Sequence, residues 1–139
     1  MKIDFAIESD YEFILTRDKH INKALIQSKI NANEIFIIRE SGKEIGWMRY
    51  GFFWDNTPFM NMIWIDERYR GAGIGKQVVL YWEKLMKLKG FELVMTSTLS
   101  NEEAQHFYRK LGYRDAGCLL LENEPMELIL IKNLNNVVK

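Results

Sequence analysis

The chain has 139 residues, 19 Lys+Arg against 19 Asp+Glu, 47% apolar residues and one cysteine. That length suggests a single domain with core enough to fold without a disulfide or metal. Zero net charge argues against a surface that tracks nucleic acid, and a lone cysteine excludes an intramolecular disulfide and fits a reducing compartment.

The N-terminal "MKIDFAIESDYEF" is broken by Asp4 and Glu8, unlike a secretory signal. No run approaches the ~20 apolar residues of a membrane span. The expectation is one domain over residues 1–139, cytoplasmic, with no membrane partner.

"KIDFAI" reads as a first strand. "SDYE" fits a capping box, with Ser9 as N-cap and Glu12 three residues on, opening a helix to about Thr16. A second helix is predicted from about His20 to Ile30. "EIFIIRESGKEIGWMRYGFF" reads as a hairpin turning at Ser41-Gly42, and "PFMNMIWID", apolar on both faces, as a central strand. Ile74, Val78, Trp82, Leu85 and Leu88 recur at helical spacing, and Gly90 suits the residue just past that helix. "FELVMTST" is a strand. "SNEE" is a second capping box, Ser100 with Glu103, before a helix marked by Ala104, Phe107, Tyr108 and Leu111 and ended by Gly112. Strands near 113–121 and 125–132 complete a mixed α/β (α+β) order, β-αα-βββ-α-β-α-ββ. Cys118, inside "GCLLLE", reads as a buried, inert thiol.

"RYRGAGIGKQ" joins the central strand to the third helix and puts three glycines in five positions. At a helix N-terminus, unpaired N–H groups and the positive dipole end point outward together, and glycines let an anion approach. The loop is predicted to bind phosphate; a plain tight turn would need only one glycine. The P-loop pattern fails at Arg70 and Gln77, and the dinucleotide pattern fails at Lys76.

The loop does match [Gln/Arg]-x-x-Gly-x-[Gly/Ala] through Arg70, Gly71, Ala72, Gly73, Ile74 and Gly75. It resembles the acetyl-CoA pyrophosphate loop of the GNAT superfamily of N-acetyltransferases. Downstream, "STLSNEEAQHFYRKLGYRDAG" resembles that family's second cofactor-binding segment. The resemblance covers nearly the whole chain. It implies a GNAT-like fold, with a mostly antiparallel mixed sheet of about seven strands flanked by about four helices. It also implies transfer of the acetyl group of acetyl-CoA to a primary amine by direct attack in a ternary complex, with no metal.

In the family pattern the tyrosine at Tyr108 donates a proton to the departing thiolate and the asparagine at Asn101 meets the cofactor. On the residues alone, Tyr108 also reads as a core tyrosine. A phenol with pKa near 10 keeps its proton at pH 7. The backbone of Ile63, Trp64 and Ile65 is implicated as partner of the pantetheine arm and donor to the oxyanion. Arg70 and Lys76 read either as charge near the phosphates or as solvated cations. Some members place a glutamate near Thr96; this chain has Thr96, Ser97 and Thr98 there, so no base is assigned. His20 and His106 read as structural or solvated residues. Phe53 and Trp54, in an aromatic stretch, read either as a wall for the acceptor amine or as an interface. The partners expected are acetyl-CoA and an unidentified amine, with no nucleic acid, in a monomer or homodimer. The alternative function is a non-catalytic acyl-CoA-binding regulatory module.

Overall fold

The computed structural model describes residues 1–135; residues 136–139 of the expected domain lie outside the described residues. Seven strands and four helices follow in the order β1 (Lys2–Phe5), α1 (Tyr11–Arg17), α2 (Lys23–Asn31), β2 (Ile35–Glu40), β3 (Lys43–Phe53), β4 (Thr57–Ile65), α3 (Ile74–Leu88), β5 (Leu93–Leu99), α4 (Ala104–Lys110), β6 (Arg114–Leu119) and β7 (Glu127–Asn133). The strands hydrogen-bond in the order β1-β2-β3-β4-β5-β7-β6, with β4 at the centre as its two-faced apolar pattern predicts. β4 and β5 pair in parallel, whereas β1/β2, β2/β3, β5/β7 and β6/β7 are antiparallel. The mixed α/β class and element order agree with the sequence reading.

The chain forms two compact units. The first comprises residues 1–50 and 62–78. Its hairpin turns at Ser41 (φ 50°) and Gly42 (φ 80°), both left-handed, as a tight antiparallel turn requires. Ile35, Ile37 and Trp47 share one face of the hairpin and bury against Ile14 of α1 and Ile26 and Ile30 of α2. Phe36, one residue out of phase, stacks instead on Phe5 and Tyr50. Asp18, at the end of α1, is buried and accepts hydrogen bonds from Arg49 Nε (2.7 Å), Trp47 Nε1 (3.1 Å) and the His20 amide (3.0 Å). Burial opposes ionisation of Asp18, but these donors and the Arg49 charge win and hold its pKa below 3.8.

The second unit comprises, of the described residues, 51–61 and 79–135. β5 and β7 pair from Leu93↔Asn133 to Leu99↔Glu127, and β6 closes the edge against β7. In α3, Val79, Trp82 and Met86 are fully buried, while Leu88, predicted on the apolar stripe, is 76% exposed. Glu83 of α3 is also buried, accepting from the Tyr113 hydroxyl (2.9 Å) and Lys132 Nζ (2.7 Å). Gly90 (φ 95°) ends α3 and Gly112 (φ 98°) ends α4, both as predicted.

Three local expectations are corrected. Ser9 does not cap α1: Glu8–Asp10 form a 3-10 turn, and Asp10 Oδ2 accepts from the Ile7 amide. Ser100 does not cap α4 either, because the helix starts at Ala104 and the Ser100 carbonyl accepts from Gln105 Nε2. Cys118 is exposed, not buried. It sits on the edge strand β6, all of whose residues are exposed, so the apolar run in the sequence faces no core.

Candidate active site

The first unit carries the glycine loop. Gly71 (φ 82°) and Gly73 (φ 81°) are left-handed, a conformation costly for other residues, and a Cβ at either would meet nothing within 4 Å. The loop backbone is thus open to approach. The Gln77 amide bonds the Gly73 carbonyl (3.1 Å) as α3 begins, so the N–H groups of Ile74, Gly75 and Lys76 belong to the first turn, which has no carbonyl behind it. Ala72 and Lys76 are exposed. A helix N-terminus of this form suits an anion, and the residues present fit a pyrophosphate.

Arg70 has a second role that its sequence position does not reveal. Its Nε donates to the Ile65 carbonyl (2.7 Å), and its guanidinium lies 5.8 Å from the centre of the Trp64 ring. It ties the loop to the end of β4. Trp64 in turn stacks on Trp47 at 5.0 Å, Ile65 is buried and Ile63 half-buried. Gly46 of β3 lies so close beneath Trp64 that a Cβ would overlap the Trp64 carbonyl oxygen. This glycine fixes the approach of β3 to β4, and no turn or motif in the sequence marks it. Asp66, the carboxylate next after this strand, accepts from the Arg68 amide (3.0 Å) and guanidinium. Those bonds hold its pKa down to about 2, which makes it a poor base.

The second unit carries Tyr108, on α4 and 5% exposed. Its ring packs edge-on against Phe107 (5.1 Å) and Tyr113 (5.5 Å). The turn at Gly112 sets Tyr113 there: the Tyr113 amide folds back onto the Tyr108 carbonyl (3.1 Å). Burial pushes the Tyr108 pKa up to about 12; the charge of Glu102 adds to this, and the hydrogen bond with Thr96 opposes it. Thr96 is itself anchored, its hydroxyl donating to the Met60 carbonyl (3.0 Å) across the parallel pair Met60↔Thr96. The phenol therefore keeps its proton at neutral pH.

Asn101 is exposed in the turn before α4, three residues short of the helix that carries Tyr108. His20 and His106 are both exposed. No group of three His, Cys, Asp or Glu among the described residues could hold a metal.

The same unit contains a cavity of about 690 Å³, walled by Phe53, Trp54, Phe59, Met95 and Leu119 among others, with Thr57, Asn61 and Ser97 as polar members. Sequence reasoning singled out Phe53 and Trp54. The same aromatic stretch supplies Phe52 and Phe59, whereas the wall residues from β5, β6 and β7 are assembled by tertiary pairing and leave no mark in the sequence.

The sequence matches the model of the acetyltransferase (GNAT) family over residues 4–113. The chain belongs to the GNAT acetyltransferase family. None of the curated proteins compared matches it significantly in sequence. Among solved structures it resembles Ard1 from Thermoplasma volcanium, with TM-score 0.80, 16% identity, and 95% of this chain and 96% of that one covered. An N-acetyltransferase from Staphylococcus aureus Mu50 gives 0.78 at 20% identity, covering 96% and 98%. A GNAT family acetyltransferase from Elizabethkingia anophelis with acetyl-CoA bound gives 0.75 at 20%, covering 95% and 97%. At these identities the likeness is one of fold. No helix among the described residues is long and apolar enough to cross a membrane.

Proposed function

We propose that this GNAT acetyltransferase, acting as a single catalytic domain, moves the acetyl group of acetyl-CoA onto a primary amine by direct attack in a ternary complex. The observation that carries the reading is the buried, neutral Tyr108 of α4, packed edge-on between Phe107 and Tyr113. The open left-handed loop at Gly71 and Gly73 supports the cofactor side, as does the acetyl-CoA bound to the Elizabethkingia protein.

In the proposed reaction the loop amides of Gly71–Lys76, with Arg70 bracing them, hold the pyrophosphate. The backbone of Ile63, Trp64 and Ile65 meets the pantetheine arm and the developing oxyanion, and Asn101 contributes to the cofactor contact. The amine nitrogen attacks the thioester carbon, a C–N bond forms, the C–S bond breaks and the amine loses a proton to solvent. Tyr108 donates a hydrogen bond and its proton to the departing thiolate, and the phenolate then takes a proton back from solvent, equal to the one the amine released, so that free CoA thiol and the neutral phenol result. Asp66 is too acidic to serve as base and Glu83 is committed to Tyr113 and Lys132, and no base is assigned; the attacking amine is neutral.

The test is release of CoA thiol from acetyl-CoA with and without an amine panel, using the Cys118→Ser chain so that only CoA reports. Amine-dependent release supports the proposal. A melting temperature raised by acetyl-CoA and CoA, but not by ATP or NAD, with no amine-dependent release, would instead leave a non-catalytic acyl-CoA-binding module.

A further inference from the structure

We infer that the aromatic cavity of the second unit receives the body of the acceptor, and that the acceptor is an amine with an aromatic or aliphatic body and no second charge. The inference rests on the acetyl-transfer reading above.

The cavity's place in the sheet is the first argument. Thr96 and Met60 hold the Tyr108 side. Ser97 and Asn61, each one residue further along the same two strands, line the cavity. Successive strand residues face opposite ways, so Tyr108 and the cavity lie on opposite faces of the β4–β5 pair. A thioester held where the pair ends would offer its sulfur to one face and its carbonyl carbon to an amine from the other.

The second argument is chemical. At about 690 Å³ the cavity falls in the range of small-molecule sites. Among the described residues none that lines the cavity carries a charge, and the wall is aromatic and aliphatic with one amide, two hydroxyls and the Cys118 thiol. A polyamine or a basic peptide would bury a second cation there without a carboxylate to meet it, whereas an aromatic ring stacks on Phe53 and Phe59. The turn that carries the wall is held in place by left-handed Trp54 (φ 56°) and Asp55 (φ 61°), and Trp54 is left 79% exposed at the rim.

Cys118, on the wall and exposed, provides a readout independent of turnover. Iodoacetamide alkylation of Cys118 is timed with tryptamine, phenethylamine, spermidine or a lysine-containing peptide present, and acetyl transfer from acetyl-CoA is measured for the same four. The aromatic amines should slow alkylation saturably and be acetylated most efficiently. Phe53→Ala should raise the aromatic amine concentration needed on the order of tenfold, as loss of a stacking ring implies, leaving the KM for acetyl-CoA unchanged. Leu119→Glu, at a residue already 53% exposed, should weaken the aromatic amines and admit spermidine. Protection and turnover by spermidine or the peptide, with the aromatic amines inert, overturns the inference while the transferase reading stands. Protection by aromatic amines without transfer overturns the acceptor role and the transferase reading together. No protection by any amine, with Cys118 shielded in a dimer that Leu119→Glu dissociates, makes the cavity an interface and overturns the inference.

Discussion

Replacing Tyr108 with Phe removes one oxygen and leaves the ring. The ring contacts with Phe107 and Tyr113 persist, and Thr96 keeps its bond to the Met60 carbonyl. The structural cost is therefore one hydrogen bond, about 0.5–1.5 kcal/mol. For a chain of this length that corresponds to a few degrees of melting temperature. If Tyr108 is the proton donor, turnover should fall on the order of 10²-fold or more, equivalent to ~2.7 kcal/mol of barrier. The two effects differ enough to separate. The assay is steady-state thiol release from acetyl-CoA with a saturating amine, beside a calorimetric titration with CoA. The expected result is a collapsed kcat with CoA affinity within about twofold of the parent, because the phenol acts on the leaving group and not on the nucleotide. Unchanged kcat would make Tyr108 a packing residue and refute the reasoning.

Four further outcomes follow from particular residues. With the Tyr108 pKa at about 12, its ionisation should produce no falling limb in kcat/KM below about pH 11; a profile that falls between pH 8 and 10 and flattens in Tyr108→Phe would contradict this. Gly46→Ala drives a methyl into the Trp64 carbonyl and should cost roughly 1–3 kcal/mol in urea unfolding while weakening CoA binding, since the strand must shift. Gly73→Ala meets no neighbour but forces a left-handed alanine, at a cost of order 1–3 kcal/mol, so CoA affinity should drop in calorimetry with the far-UV circular dichroism unchanged. Asp18→Ala leaves Arg49 buried without its partner and should destabilise by about 3–5 kcal/mol. Because the folded pKa of Asp18 is depressed below 3.8, its contribution is full above that pH and is lost as pH falls through the folded value. The difference between parent and Asp18→Ala should accordingly shrink on acidification, as urea midpoints at pH 7 and pH 3 would reveal.

What the sequence disclosed was what repeats along it. The hairpin at Ser41-Gly42, the α3 periodicity and the glycine loop are local patterns, and each lies where it was expected. Tyr108 and the loop were singled out because their spacing resembles that of a known family. The Asp18–Arg49–Trp47 cluster and the Glu83–Tyr113–Lys132 cluster were not, since both join residues some thirty or more positions apart and leave no periodic mark. Gly46 was missed for the same reason: its neighbour is a carbonyl on another strand. Cys118 was misread because an apolar run says nothing of which strand ends at the sheet edge. Both capping boxes were matches in letters whose helices begin later, at Tyr11 and Ala104.

The central claim is tested most directly by following the acetyl group itself. Acetyl-CoA carrying a carbon-13 carbonyl is incubated with the protein and phenethylamine, tryptamine, spermidine or a lysine-containing peptide, and the label is located by NMR. The account predicts label in an amide of one of these amines, one free CoA thiol per amide formed, and both formed on the order of 10²-fold more slowly in Tyr108→Phe. Label that stays on CoA, or appears only as acetate, with every amine unmodified, would contradict it.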